Sequence, residues 1–136
     1  MTMDRQTRTP EKRKFKRVSV SVKLFYKVQR PPEMLLRVGD REVCTQAVDV
    51  SQGGMGFVTG FELPALTEVV VNFNLIFKTA SLLNVKAFGK VRHCEPLSQS
   101  PDNPSYRIGV EFTKIDEYDS WMIGDFVKDA PSKTSF

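Results

Sequence analysis

Apolar side chains alternate with polar ones along most of this chain, and a period of two commits a chain to strands with one face buried. Val18, Val20, Val22, Leu24, Tyr26 and Val28 take every second position, with Ser19, Ser21, Lys23 and Lys27 between them. The period returns at Val69, Val71, Phe73, Leu75 and Phe77, at Leu83, Val85, Ala87, Gly89 and Val91, and at Tyr106, Ile108, Val110 and Phe112. Arg30-Pro31-Pro32 stops the first run, because proline has no N–H to give a sheet ladder. A second extended region is expected through Leu35–Val38 and Val43–Val50, broken by the Gly39-Asp40 turn and antiparallel to the first strand. Met55–Thr59 reads as a short strand, Phe61-Glu62-Leu63-Pro64 as a loop, and Pro96 to Ser105, with three prolines, as a long surface loop.

The period changes near the end. Tyr118, Trp121, Met122, Asp125 and Phe126 follow helical spacing, with Asp116 placed to cap the helix, and Trp121 and Phe126 are expected to pack on the sheet. Six short strands followed by one amphipathic helix predict an all-β fold: a closed six-stranded antiparallel barrel whose open end the helix covers. A length of 136 residues suits one domain, and 40% apolar residues suffice for a core without metal or disulfide staples.

No apolar run approaches the roughly 20 residues of a membrane span. Cys44 and Cys94 have no CxxC or CxxH neighbours, so they are expected to be buried thiols in a reducing compartment, not zinc ligands. The first residues lack the basic-then-apolar pattern of a secretory signal, which points to the cytoplasm. Charge is lopsided: residues 1–17 hold seven basic side chains against two acidic ones, a net of +5, while the rest of the chain carries −1. That arm either meets an anionic partner or is a solvated tail.

Signatures of catalysis are missing. There is no GxxxxGK[ST] loop, no GxGxxG between strand and helix and no HExxH, and the carboxylates are scattered singly. His93 is the sole histidine, and it reads as a structural strand residue.

Two clusters stand apart. Arg13-Lys14-Phe15-Lys16-Arg17 places two arginines four apart where the basic arm meets the first strand, and Asp49-Val50-Ser51-Gln52-Gly53-Gly54 places an acid, a hydroxyl and glycines where a strand enters its turn. In this order they resemble the RxxxR and [D/N]xSxxG signatures of PilZ domains, bacterial receptors for the second messenger cyclic di-GMP. Tyr106-Arg107-Ile108-Gly109-Val110-Glu111-Phe112 is similar to the late "iGv-F" strand of that family, and Gly89-Lys90-Val91 to the strand before it. The resemblance spans about residues 11 to 127, and implies a flexible basic arm (1–12), a PilZ domain (13–127) and a short tail (128–136).

It implies a ligand as well: cyclic di-GMP, with no cofactor and no metal. Arginine forks onto phosphate oxygens or the O6/N7 edge of guanine and stacks on the purine, which suits Arg13 and Arg17. Ionised Asp49 accepts only, which suits guanine N1–H and N2–H; Ser51 adds a hydroxyl, and Gly54 leaves room for a base to approach the backbone. Arg8, Lys12, Lys14, Gly53 and Arg92 are further candidates, Arg5 shares the arm, and Phe15 is placed to anchor it. Each residue also has a plain structural use: solvated charges before a strand, side chains bonding the turn, glycines shaping a hairpin.

The implied protein is a non-enzymatic receptor and adaptor whose arm, mobile without ligand, closes on the nucleotide and changes the surface offered to a downstream protein. Two other functions fit the sequence: a PilZ-type interaction module with weak or no nucleotide binding, and nonspecific attachment of the arm to nucleic acid or membrane, which added salt would sharply weaken.

Overall fold

The computed structural model describes residues 15–98 and 100–129. Six strands, β1 (Arg17–Arg30), β2 (Val43–Ser51), β3 (Gly54–Thr59), β4 (Glu68–Ile76), β5 (Leu82–Ser98) and β6 (Ser105–Ile115), are joined by α1 (Pro32–Val38) between β1 and β2 and followed by α2 (Glu117–Asp129). All pairings are antiparallel in the order β1-β2-β3-β6-β5-β4, and the sheet closes on itself because β1 pairs with both β2 and β4. Following hydrogen-bonded partners from Arg17 through Ser51, Gly54, Glu111, Lys90 and Glu68 leads back to β1 at Arg30. That stagger is the strand tilt a closed sheet requires.

The alternating apolar positions supply the interior: Leu24, Tyr26, Phe57, Phe73, Leu75 and Ile108 are all buried. The Tyr26 and Phe57 rings lie 4.8 Å apart, and the Tyr26 hydroxyl shares a 2.7 Å hydrogen bond with the hydroxyl of Thr59. At the end of the chain the Asp116 carboxylate accepts the Tyr118 N–H at 2.9 Å, the N-terminal cap expected for α2. Ile123 and Val127, four residues apart, face the sheet, and Phe126 meets Phe77 edge-on at 5.4 Å.

Four expectations need correcting. Residues 35–38 are helical: Pro32 sits in the first turn, where a missing N–H is harmless, and Met34 and Val38 bury one side of α1. β5 runs through Pro96 to Ser98, so the loop before β6 is shorter than expected; proline is tolerated there because the register shifts between Pro96 and Ser98. Trp121 is 65% exposed, because the stripe set by Ile123 and Val127 leaves it on the far side of α2. Cys44 is exposed and Cys94 half-buried, both as free thiols.

Candidate functional site

Val50 points into the core, so its neighbours Asp49 and Ser51 belong to the outer face of β2. Asp49 nevertheless has no exposed surface, because two guanidiniums cover it. Nη1 of Arg17 donates to Oδ1 at 2.8 Å, and Nη2 of Arg107 donates to Oδ2. The two arginine side chains remain 43% and 35% exposed. A guanidinium carries five N–H donors, so both retain donors beyond those spent on Asp49. Under the carboxylate lies Gly56, the β3 partner of Asp49, where a Cβ would stand 2.9 Å from Oδ1. A buried carboxylate is tolerable only when its charge is met, and here two opposite charges meet it.

The turn that follows is held by Ser51. Its hydroxyl accepts the Gly53 N–H at 3.2 Å and donates to the Gly54 carbonyl at 3.3 Å, the turn-bonding use that hydroxyls have next to glycines. Gly54 is required by backbone proximity, since a Cβ there would stand 2.1 Å from the carbonyl oxygen of Val110 on β6. Gly53 is covered by Phe15, whose ring carbon would lie 2.6 Å from a Cβ at that position. Phe15 thus anchors the start of β1, as its place between the motif arginines suggested. With Lys16, Gln52, Gly124, Val127 and Lys128 it lines a cleft of about 330 Å³ between this corner and α2.

The described members of the two sequence clusters therefore meet: Arg17 is the cross-strand partner of Ser51 and the ion-pair partner of Asp49. Arg5, Arg8, Lys12, Arg13 and Lys14 lie outside the described residues. Phe15 packs on Gly53, and Arg17 pairs with Ser51. Arg92 is exposed and paired with Glu111, the β6 partner of Gly54, so it flanks the row that starts at Arg17. Sequence reasoning overlooked Arg107 and Gly56. The one available signal for Arg107 was parity: Ile108 and Val110 point inward, so Arg107 must point outward, but parity does not say toward what. Among the described residues no group of three His, Cys, Asp or Glu could hold a metal ion, and no helix is long and apolar enough to cross a membrane.

Residues 11–129 match the family model of the PilZ domain. No curated protein matches the chain in sequence. Among solved structures, the fold is similar to that of the Bacillus subtilis inhibitor of motility MotI/DgrA, at TM-score 0.63 and 14% identity over 93% of this chain and 51% of that one. The chain thus spans about half the length of MotI. It is also similar to the PilZ domain of Escherichia coli YcgR, solved with cyclic di-GMP, at TM-score 0.57 and 12% identity over 85% of this chain and 89% of that one.

Proposed function

The chain belongs to the PilZ domain family, and from that premise we propose that it is a cyclic di-GMP receptor, without catalysis of its own, that passes the signal to a protein partner. The observation that carries this reading is the clasp on the outer face of β2: a fully covered acceptor, Asp49, between two exposed guanidinium forks on β1 and β6. Cyclic di-GMP brings two phosphodiesters and two guanines, which are the groups such forks recognise.

The clasp also sets the order of events. Asp49 meets guanine N1–H and N2–H only after a guanidinium leaves it, and Arg17, the more exposed of the two, is the one to turn onto the ligand while Arg107 keeps its hold. One charged contact replaces another, so no carboxylate is left buried alone. Arg13 joins Arg17 on the phosphates or a guanine, and Arg8, Lys12 and Lys14 add positive potential. Ser51, Gly53 and Gly54 give the corner its shape. Output runs through the cleft, since the Gln52 side chain packs on Gly124 of α2 and Phe15 packs on Gly53. A ligand drawn onto this corner therefore alters the surface that α2 and the leading segment offer to the partner.

Calorimetric titration with cyclic di-GMP tests the reading. Binding is expected, in preference to GTP and the linear dinucleotide, and Arg17→Ala weakens it by about 10- to 100-fold, the worth of one charge-assisted contact. Absence of heat with the intact chain overturns the reading in favour of a protein-interaction module.

A further inference from the structure

Ile123 and Val127 turn one side of α2 to the sheet, and the opposite side carries a stripe that runs Glu117, Tyr118, Trp121 and Asp125. Spacings of three and four bring these side chains together on the helix surface. Both aromatic rings are exposed, on the side that a surface helix ordinarily gives to polar residues. Carboxylates surround them: from Asp116 to Asp129 the chain holds five acidic side chains against Lys128 alone, a net of −4. The Asp116 carboxylate is spent on capping the helix, while those of Glu117, Asp125 and Asp129 make no hydrogen bond or ion pair with any described residue.

Charge decides what can cover this stripe. A second copy of α2 would bring −4 against −4, and an anionic lipid surface would be repelled in the same way. The occupant is therefore cationic. Residues 1–14 hold Arg5, Arg8, Lys12, Arg13 and Lys14 against Asp4 and Glu11, a net of +3. They join the described chain at Phe15, which with Lys16 lines the cleft against Gly124, Val127 and Lys128. Gly124 and Lys128 lie three and seven residues after Trp121, so this cleft opens on the edge of the aromatic stripe. Fourteen extended residues reach roughly 46 Å, whereas α2, at 13 residues, is only about 20 Å long. Tethering holds such a segment at an effective concentration of about the millimolar range, so weak contacts suffice.

Resting on the receptor reading above, we propose that residues 1–14 lie across the outward stripe of α2 while no nucleotide is bound, their cations over Trp121 and Tyr118 and against Glu117 and Asp125. Cyclic di-GMP competes for the same cations. Its phosphodiesters take Arg13 and its basic neighbours, the segment leaves α2, and an aromatic, acidic surface is uncovered for the partner. The stripe that the segment covers is then the one that the partner reads, so the partner's docking segment is itself basic.

Zero-length carbodiimide cross-linking of the full chain, read by mass spectrometry, tests the contact. In the unliganded monomer, amide links from Lys12 or Lys14 to Glu117 or Asp125 are expected, and saturating cyclic di-GMP should abolish them. Trp121 is the only tryptophan, so acrylamide quenching of its fluorescence reads the cover separately. Quenching should rise on adding cyclic di-GMP and should already be high in unliganded Asp125→Lys, whose fold a thermal melt verifies. Absence of these links in the unliganded chain, with quenching unmoved by ligand, overturns the proposal and leaves the receptor reading to its titration. Links that form only between two copies overturn it in favour of self-association. Links that survive saturating ligand overturn the release. If the titration gives no heat, the receptor reading falls and the release falls with it, while links in the unliganded chain still uphold the contact.

Discussion

The closed sheet has two unlike halves. Along β4 and the first half of β5 the pairing runs from Glu68 with Lys90 to Ile76 with Leu82 without a single shift, burial alternates strictly on β4, and the outer face carries Asn84 donating to both Asn72 and Asn74 at 2.8 Å. Along β2, β3 and β6 the ladder is interrupted, at Ala47/Asp49 and again where β6 meets β5 at Val91/His93. There a carboxylate is buried on the face that should be wet, and glycines stand where side chains would collide. The β4–β5 ladder keeps the period of a strand throughout, and what it supplies is cohesion. The irregular half breaks the rules of a strand beside Asp49 and His93, and such violations are expected where a fold does something besides fold.

Separating the two halves experimentally should separate stability from recognition. Phe73 belongs to the regular half and is 2% exposed. Phe73→Ala should lower unfolding free energy by about 3–5 kcal/mol, read by urea titration, and leave cyclic di-GMP affinity within twofold wherever the protein is still folded. A large loss of affinity in folded Phe73→Ala would break the comparison, because the patch would then depend on packing across the whole interior.

Arg107→Ala is the converse. It leaves Asp49 with one partner, but Arg107 is a third exposed, so water softens the loss and stability should fall by only about 1–2 kcal/mol. Affinity should fall further, by about 10- to 100-fold, since Asp49 loses the guanidinium that holds it while Arg17 turns away. Arg107→Lys should not restore it, because an ammonium cannot hold a carboxylate and a base edge in one plane. Equal affinity in Arg107→Ala would mean that the clasp is structural only.

The same division decides what can be read in the sequence. The strands through Leu24, Phe73, Val85 and Ile108 are legible because burial of one face imposes the period directly. The run Met34-Leu35-Leu36-Arg37-Val38 carries apolar residues at both strand and helix spacing, and only the proline at its start, acting through backbone geometry, favours the helix. The β4–β5 turn is silent for another reason: Lys78-Thr79-Ala80-Ser81 holds no glycine, asparagine or proline, yet Ala80 takes φ 69°. At the site, Arg17, Asp49 and Ser51 were legible through their spacing. Arg107 was not, since its partner Asp49 comes from a strand distant in the chain, and a bulge at Val91 shifts the parity on which any guess about the direction of His93 depends.

Tyr26 is where the halves are tied, and it gives the smallest and most specific test. It pairs with Val71 on β4, while its ring meets Phe57 and its hydroxyl meets Thr59, both on β3. Burial pushes its phenol above the ordinary value of 10.0, offset in part by the Thr59 hydrogen bond and the charge of Arg41. A raised value in the folded state means that folding favours the neutral phenol. This contribution to stability is complete below about pH 10 and is lost as pH rises through the folded-state value. Tyr26→Phe has no such group, and at neutral pH it should be less stable by about 1 kcal/mol for the missing hydrogen bond. The gap between parent and variant, followed by denaturant midpoints from pH 8 upward, should therefore narrow above pH 10; other tyrosines and lysines titrate in both proteins and cancel in the difference. A gap that stays constant would mean that folding does not disfavour the ionised phenol and that its hydroxyl is not held away from water.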